Sequence, residues 1–108
     1  MHKKTAPPIL TGKQLRYLRG LGHHLVPTVM LGKEGITENL LKTTEQGLTA
    51  HELIKAKVME TCPEDRRTAA ATLAEKVGAV LVQVLGRTFL LYRQNPESPA
   101  EEQIVLPK

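Results

Sequence analysis

Few residues of this 108-residue chain are of a type and spacing that could do chemistry. The single serine, Ser98, falls in a proline-rich C-terminal stretch, so no serine nucleophile sits on a predicted structured element. The single aspartate, Asp65, lies at a predicted helix start. His51-Glu52-Leu53-Ile54-Lys55 begins like a zinc-protease signature, but Lys55 stands where the second histidine belongs. That stretch also reads as a strand, which lacks the i, i+4 geometry two ligands need. His23 and His24 are adjacent, so on a helix they diverge by about 100° and do not share a metal. Cys62, alone, excludes an intramolecular disulfide and a zinc ribbon. No metal or cofactor is expected.

The remaining candidate is Leu31-Gly32-Lys33-Glu34-Gly35-Ile36-Thr37, a Gly-x-x-Gly loop between an apolar run, Val26 to Leu31, and a helix-like stretch from Thr37 to Gln46. A strand that feeds such a loop into a helix turns backbone N–H groups and the helix dipole toward one point, which suits an anion. Gly20-Leu21-Gly22 lacks the third glycine and preceding strand of a dinucleotide fingerprint, and no P-loop motif occurs. Lys33 favours phosphate. Glu34 opposes it unless its carboxylate points away or pairs with Lys33. The charge distribution agrees with a polyanion partner. Residues 1–60 hold nine Lys/Arg against five Asp/Glu, while residues 61–108 hold six of each. Tyr17, Phe89 and Tyr92 are the only aromatics, too few for a base-stacking platform.

The elements that position this loop follow from pattern. Thr11-Gly12-Lys13-Gln14 offers a capping box for a helix whose apolar stripe includes Leu15, Leu18 and Leu25, with Gly22 as its stop. Lys13, Arg16 and Arg19 fall on its outer side. A strand over about 26–31 begins near Pro27. Thr37 caps the second helix, with Ile36 and Leu41 as a hydrophobic staple and Gly47 as its end. Residues 52–60 alternate as a strand, Ile54, Ala56 and Val58 facing one way and Lys55 and Lys57 the other. Pro63-Glu64-Asp65 starts a third helix with Ala69, Leu73 and Val77 inward and Gly78 as its close. Val80–Leu85 and Thr88–Arg93 form a hairpin about Gly86-Arg87, the pattern of a type II′ turn. The order α-β-α-β-α-β-β predicts an α/β two-layer sandwich, a mixed four-stranded sheet with three helices. Residues 1–9 read as a flexible basic arm, 10–94 as one domain and 95–108 as a disordered tail. No apolar stretch reaches the roughly 20 residues that cross a bilayer, and no signal peptide follows Met1. A soluble, cytoplasmic, monomeric protein is expected.

Four blocks together carry a family resemblance: Leu10-Thr11-Gly12-Lys13-Gln14, Leu31 to Thr37, His51 to Lys55, and Gln83-Val84-Leu85-Gly86-Arg87 with Leu91-Tyr92-Arg93. In this order they resemble the CRM domain (chloroplast RNA splicing and ribosome maturation), over residues 10–94. A chain that is one such domain and little else is similar to the bacterial YhbY-type proteins. The resemblance implies an RNA-binding fold like the C-terminal domain of translation initiation factor three, and association with ribosomal RNA in precursors of the large ribosomal subunit. It maps the family's loop onto Gly32, Lys33, Glu34 and Gly35, and its basic surface onto Lys13, Arg16, Lys55 and Lys57. Thr37, Arg19, Arg87 and Arg93 complete the expected RNA-binding set. A non-enzymatic protein is expected, with no small-molecule substrate and no membrane partner. Two readings compete with it: a module docking its basic face on an acidic or ribosomal protein, and a nucleotide-directed enzyme using His51 or Glu52 as base.

Overall fold

The computed structural model describes residues 7–108, so most of the expected N-terminal arm (residues 1–6) lies outside the described residues. The chain folds as α1 (Gly12–Gly22), β1 (Val29–Leu31), α2 (Glu38–His51), β2 (Leu53–Val58), α3 (Arg66–Val77), β3 (Val80–Leu85) and β4 (Thr88–Tyr92), followed by a short 3₁₀ turn at Ala100–Glu102. The four strands form one mixed sheet in the order β1-β2-β4-β3. β1 runs parallel to β2, and β4 is antiparallel to both β2 and β3. The expected three helices and mixed four-stranded sheet are present.

The helix starts form as local chemistry dictates. The Thr11 hydroxyl accepts the Gln14 amide at 3.1 Å, and the Gln14 side chain accepts the Thr11 amide at 3.0 Å. Asp65 accepts the Thr68 amide at 2.7 Å, a bond that holds its carboxyl below the ordinary aspartate range. Two boundaries differ by three residues or more from the sequence expectation. β1 begins at Val29 rather than Val26, with only the Thr28 amide, donating to Lys55 O at 3.0 Å, extending the ladder. α2 passes Gly47 and ends at His51, because Leu48 is a fully buried core residue one position on. Gly47 serves packing instead: a Cβ there would sit 3.3 Å from Ile54 Cγ2. Gly22 does end α1, but with His23 in ordinary right-handed conformation. Its glycine is needed because a Cβ would overlap the Leu90 side chain.

Strand alternation divides the interior in two. Val29, Leu31, Ile54, Ala56, Val58, Phe89 and Leu91 face α2 and α3 and meet Leu48, Ala69, Ala70, Leu73 and Val77. This is the helix-on-sheet pair of layers. α1 lies on the opposite face, where Leu18 packs with Leu53, Val82, Leu90 and Tyr92. The helices therefore cover both faces, α1 only in part.

Residues 95–108, expected to be disordered, are packed. Ile104 and Leu106 join the α1 cluster, and Gln14 Nε2 donates to Pro107 O at 3.1 Å. What holds this segment is Glu52, 1% exposed and the only non-glycine residue with positive φ (65°) among those described. Its Oε2 accepts the Asn95 amide and its Oε1 the Ile104 amide, both at 2.6 Å. Its carbonyl accepts the Arg93 amide at 2.8 Å. Burial, and then the Glu52 charge, push the neighbouring Tyr92 hydroxyl above its ordinary range. Three prolines and mixed charge made this segment look unable to fold alone, and it does not; a buried carboxylate in another element orders it.

Candidate functional site

The Gly-x-x-Gly loop is a tight turn. The Gly35 amide donates to Gly32 O at 2.9 Å, and Gly35 has φ 67°, a conformation that favours glycine. Gly35 therefore shapes the loop, and its N–H is committed to the turn rather than free for a ligand. Gly32 has ordinary φ and only Thr61 Oγ1, at 3.9 Å, near a would-be Cβ. The fold does not need glycine at Gly32, whereas close approach of a ligand backbone would. Lys33 and Glu34 are exposed at the tip, and their amides donate to no protein acceptor among the described residues. Glu34 forms no ion pair with Lys33. Replacing Gly35 by Ala is expected to cost about 1–2 kcal/mol through left-handed strain. Gly32→Ala is expected to stay within about 1 kcal/mol of wild type. Urea denaturation of the two variants measures both.

At the start of α2, the Thr37 hydroxyl accepts the Leu40 amide at 3.1 Å. The Glu38 and Asn39 amides are the open donors of that first turn. Glu38, in the same turn, offsets part of the helix dipole. Thr37 acts here as a cap, holding the helix end in place behind the loop.

Because β1 and β2 are parallel, the loop leaves the sheet at the end where β2 finishes. The Met59 amide donates to Leu31 O at 2.8 Å across this end. The β3–β4 hairpin turns here too: Val58 N–H donates to Arg87 O at 2.7 Å. Gly86 alone has positive φ in that turn, as the expected type II′ geometry requires. Loop, β2 terminus and hairpin thus share one end of the molecule, and Lys33, Lys57 and Arg87 come with them. Arg87 bonds Glu60 at 3.1 Å, but both side chains are largely exposed, so the pair adds little and opens readily.

The sheet face opposite α2 and α3 supplies the rest. Register aligns Met30, Lys57, Thr88 and Leu85 in one row across four strands, and Lys55, Leu90 and Gln83 in the next. α1 covers the second row and its end reaches the edge of the first. Its end, Gly22 and His23, bounds a cavity of about 30 Å³ with Lys55, Gln83 and Thr88. The half of the face toward the loop is open, with Met30 50% and Leu85 62% exposed, and neither Lys55 nor Lys57 has an acidic partner within 4 Å among the described residues. Met30, Gln83 and Thr88 are neighbours that sequence reasoning missed. Their signal is parity carried across the hairpin, which needs the strand order to be read.

The other expected residues separate from this cluster. Arg93 sits at the far end of the sheet, where Nη1 donates to Glu45 Oε1 at 2.9 Å and to Val77 O at 2.8 Å, and Nη2 to Thr49 Oγ1 at 3.2 Å. It ties the ends of α2 and α3 together, away from the loop end. Lys13 is at the far end of α1, its Nζ 3.4 Å from Lys108 O. Arg16 is exposed and Arg19 half-buried on α1, between Lys13 and the sheet cluster. Glu52, considered as a base, is buried and spent on two backbone amides, and His51 is exposed beside it. No three His, Cys, Asp or Glu side chains gather as a metal site among the described residues.

Residues 10–93 match the CRS1 / YhbY (CRM) domain. "Probable RNA-binding protein YqeI" of Bacillus subtilis is 41% identical over 99 residues, covering 92% of this chain and all of that protein. An "RNA-binding protein" of Haemophilus influenzae is 40% identical over 89 residues, covering 82% of this chain and 90% of that one. The solution structure of a hypothetical protein from Staphylococcus aureus superposes with a TM-score of 0.74 at 41% identity, over 92% of this chain and 100% of that one.

Proposed function

The chain belongs to the CRS1 / YhbY (CRM) domain family, and on that premise we propose that it is a non-enzymatic RNA-binding protein of large ribosomal subunit assembly. The observation that carries this reading is one of placement. Lys33, Lys55, Lys57 and Arg87, from three separate elements, gather at the loop end of the sheet beside turn amides that have no protein acceptor. Phosphate is the ligand that uses both kinds of group: lysines supply attraction and released counterions, and amides fix register. Gly32 lets the phosphodiester approach, and Gly35 keeps the turn open to it. Precursors of the large subunit are the partner this reading names, and the cytoplasm its compartment.

Salt titration tests the binding. With about four phosphates neutralised, log affinity should fall with log salt at a slope near −3, on the order of 0.7 per phosphate. A flat dependence would favour a protein partner and overturn the RNA reading. Sedimentation tests the assembly role. Tagged protein is expected to travel with large-subunit precursors, and a folded Gly32→Asp/Gly35→Asp variant to remain at the top of the gradient. Wild type found only at the top would remove ribosome assembly.

A further inference from the structure

We propose that the RNA seated on this surface is double-helical, held with its minor groove against the open half of the sheet. This rests on the RNA-binding reading above and adds the class of RNA. A reader of unpaired bases needs either a platform to stack them on or a pocket to receive them. Neither is present at the loop end. Phe89 and Tyr92 are 1% and 2% exposed in the core, and Tyr17 lies on α1 rather than on the sheet. The cavity between the end of α1 and the sheet, about 30 Å³, is smaller than any nucleobase. The one of about 420 Å³ lined by Val26, His51, Leu53, Lys55 and Ile104 lies toward the start of β2, away from the loop end. The roomier cavity behind the loop end, about 350 Å³, has three carboxylates (Glu60, Glu64, Asp65) against two guanidiniums (Arg66, Arg87) in its lining, a balance that disfavours a phosphodiester chain there.

The open half and its border with the end of α1 offer a shallow strip with polar groups at close intervals. The row Met30, Lys57, Thr88, Leu85 crosses four strands, a width of about 14 Å at normal strand spacing. Lys55 and Lys57, two residues apart on one strand, stand about 6.6 Å apart along it. Gln83 is half-buried with its amide unbonded to protein, and the Thr88 oxygen, donating to Leu85 O at 3.0 Å, is open as an acceptor. Two lysines along β2, with a hydroxyl on β4 and an amide on β3 to one side of them, match one border of the wide, shallow A-form minor groove. That groove presents 2′-hydroxyls flanked by phosphates. Lys33, in the loop that follows β1, adds a cation at the end of this strip.

The test is fluorescence anisotropy at one salt concentration with three probes. They are an RNA hairpin stem of about 16 base pairs, a non-pairing RNA strand of equal length, and a DNA duplex of the stem sequence. The stem is expected to bind at least tenfold tighter than either competitor. A Gln83→Ala/Thr88→Val variant, with its fold verified by circular dichroism, is expected to lose the preference for RNA over DNA duplex while keeping its salt slope. Equal or tighter binding of the single strand overturns the duplex proposal and leaves the RNA-binding reading intact. An unchanged RNA-over-DNA preference in the variant overturns the minor-groove placement. Failure of all three probes to bind overturns the proposal together with the RNA reading.

Discussion

Glu52→Ala is expected to destabilise the protein by about 3–4 kcal/mol and to release residues 95–108 from the sheet. The carboxylate is buried and accepts the Asn95 and Ile104 amides at 2.6 Å each. Hydrogen bonds to a charged group contribute about 1.5–3 kcal/mol apiece, and their loss also strands two backbone donors. The substitution does not relieve the positive φ, because alanine is strained there as glutamate is. A midpoint decrease of more than roughly 12 °C should follow. Limited proteolysis should begin to cut after Gln94 under conditions where wild type resists. Glu52→Gln keeps one acceptor oxygen and should fall between the two. It should also bring the Tyr92 hydroxyl back down in a spectrophotometric titration, because the Glu52 charge helps raise it. Unchanged stability with a protected tail would show that the two short bonds are not what orders the segment.

Lys33→Glu/Lys55→Glu/Lys57→Glu is expected to weaken RNA binding at least about 100-fold and to flatten the salt slope by about 2. Three contacts vanish and three repulsions replace them. The fold should be untouched, because Lys33 is exposed, Lys55 and Lys57 are half-buried, and none has an acidic partner to lose. Arg93→Ala is the matching control with the opposite profile. Its guanidinium bonds Glu45, Val77 and Thr49, so it should lower stability and leave the affinity of folded protein unchanged. If Arg93→Ala weakened RNA binding and the triple lysine variant did not, the interface would lie on the wrong side of the molecule.

The lysines and Arg93 show where sequence reasoning reaches. Strand alternation is a local property with a period of two, so residues 52–60 by themselves place Lys55 and Lys57 on one face, away from Ile54 and Val58. Caps are equally local. Thr11, Thr37 and Asp65 each accept an amide three residues on, and Gly86 meets the demand of its own turn. Arg93 looked like another basic residue at a strand end, because nothing near it in sequence announces Glu45, Thr49 or Val77. Gly47 looked like a stop, because a glycine that makes room for Ile54 and one that ends a helix are the same letter.

The Gly-x-x-Gly loop, its flanking strand and helix, and the four blocks that mark the family were thus determined by the sequence itself, since they depend on turn, cap and periodicity within a few residues. The tertiary structure decided which groups that loop keeps company with. Inserting β4 between β2 and β3 brings Thr88 and Arg87 beside Lys57. α1, crossing to the other face, packs on Leu53, Val82, Leu90 and Tyr92 and leaves Met30 and Leu85 exposed. Glu52 turns a proline-rich tail into packed structure. Each of these joins residues tens of positions apart. Which distant partners meet depends on strand order and the burial of both faces at once, and no short window of sequence holds that information.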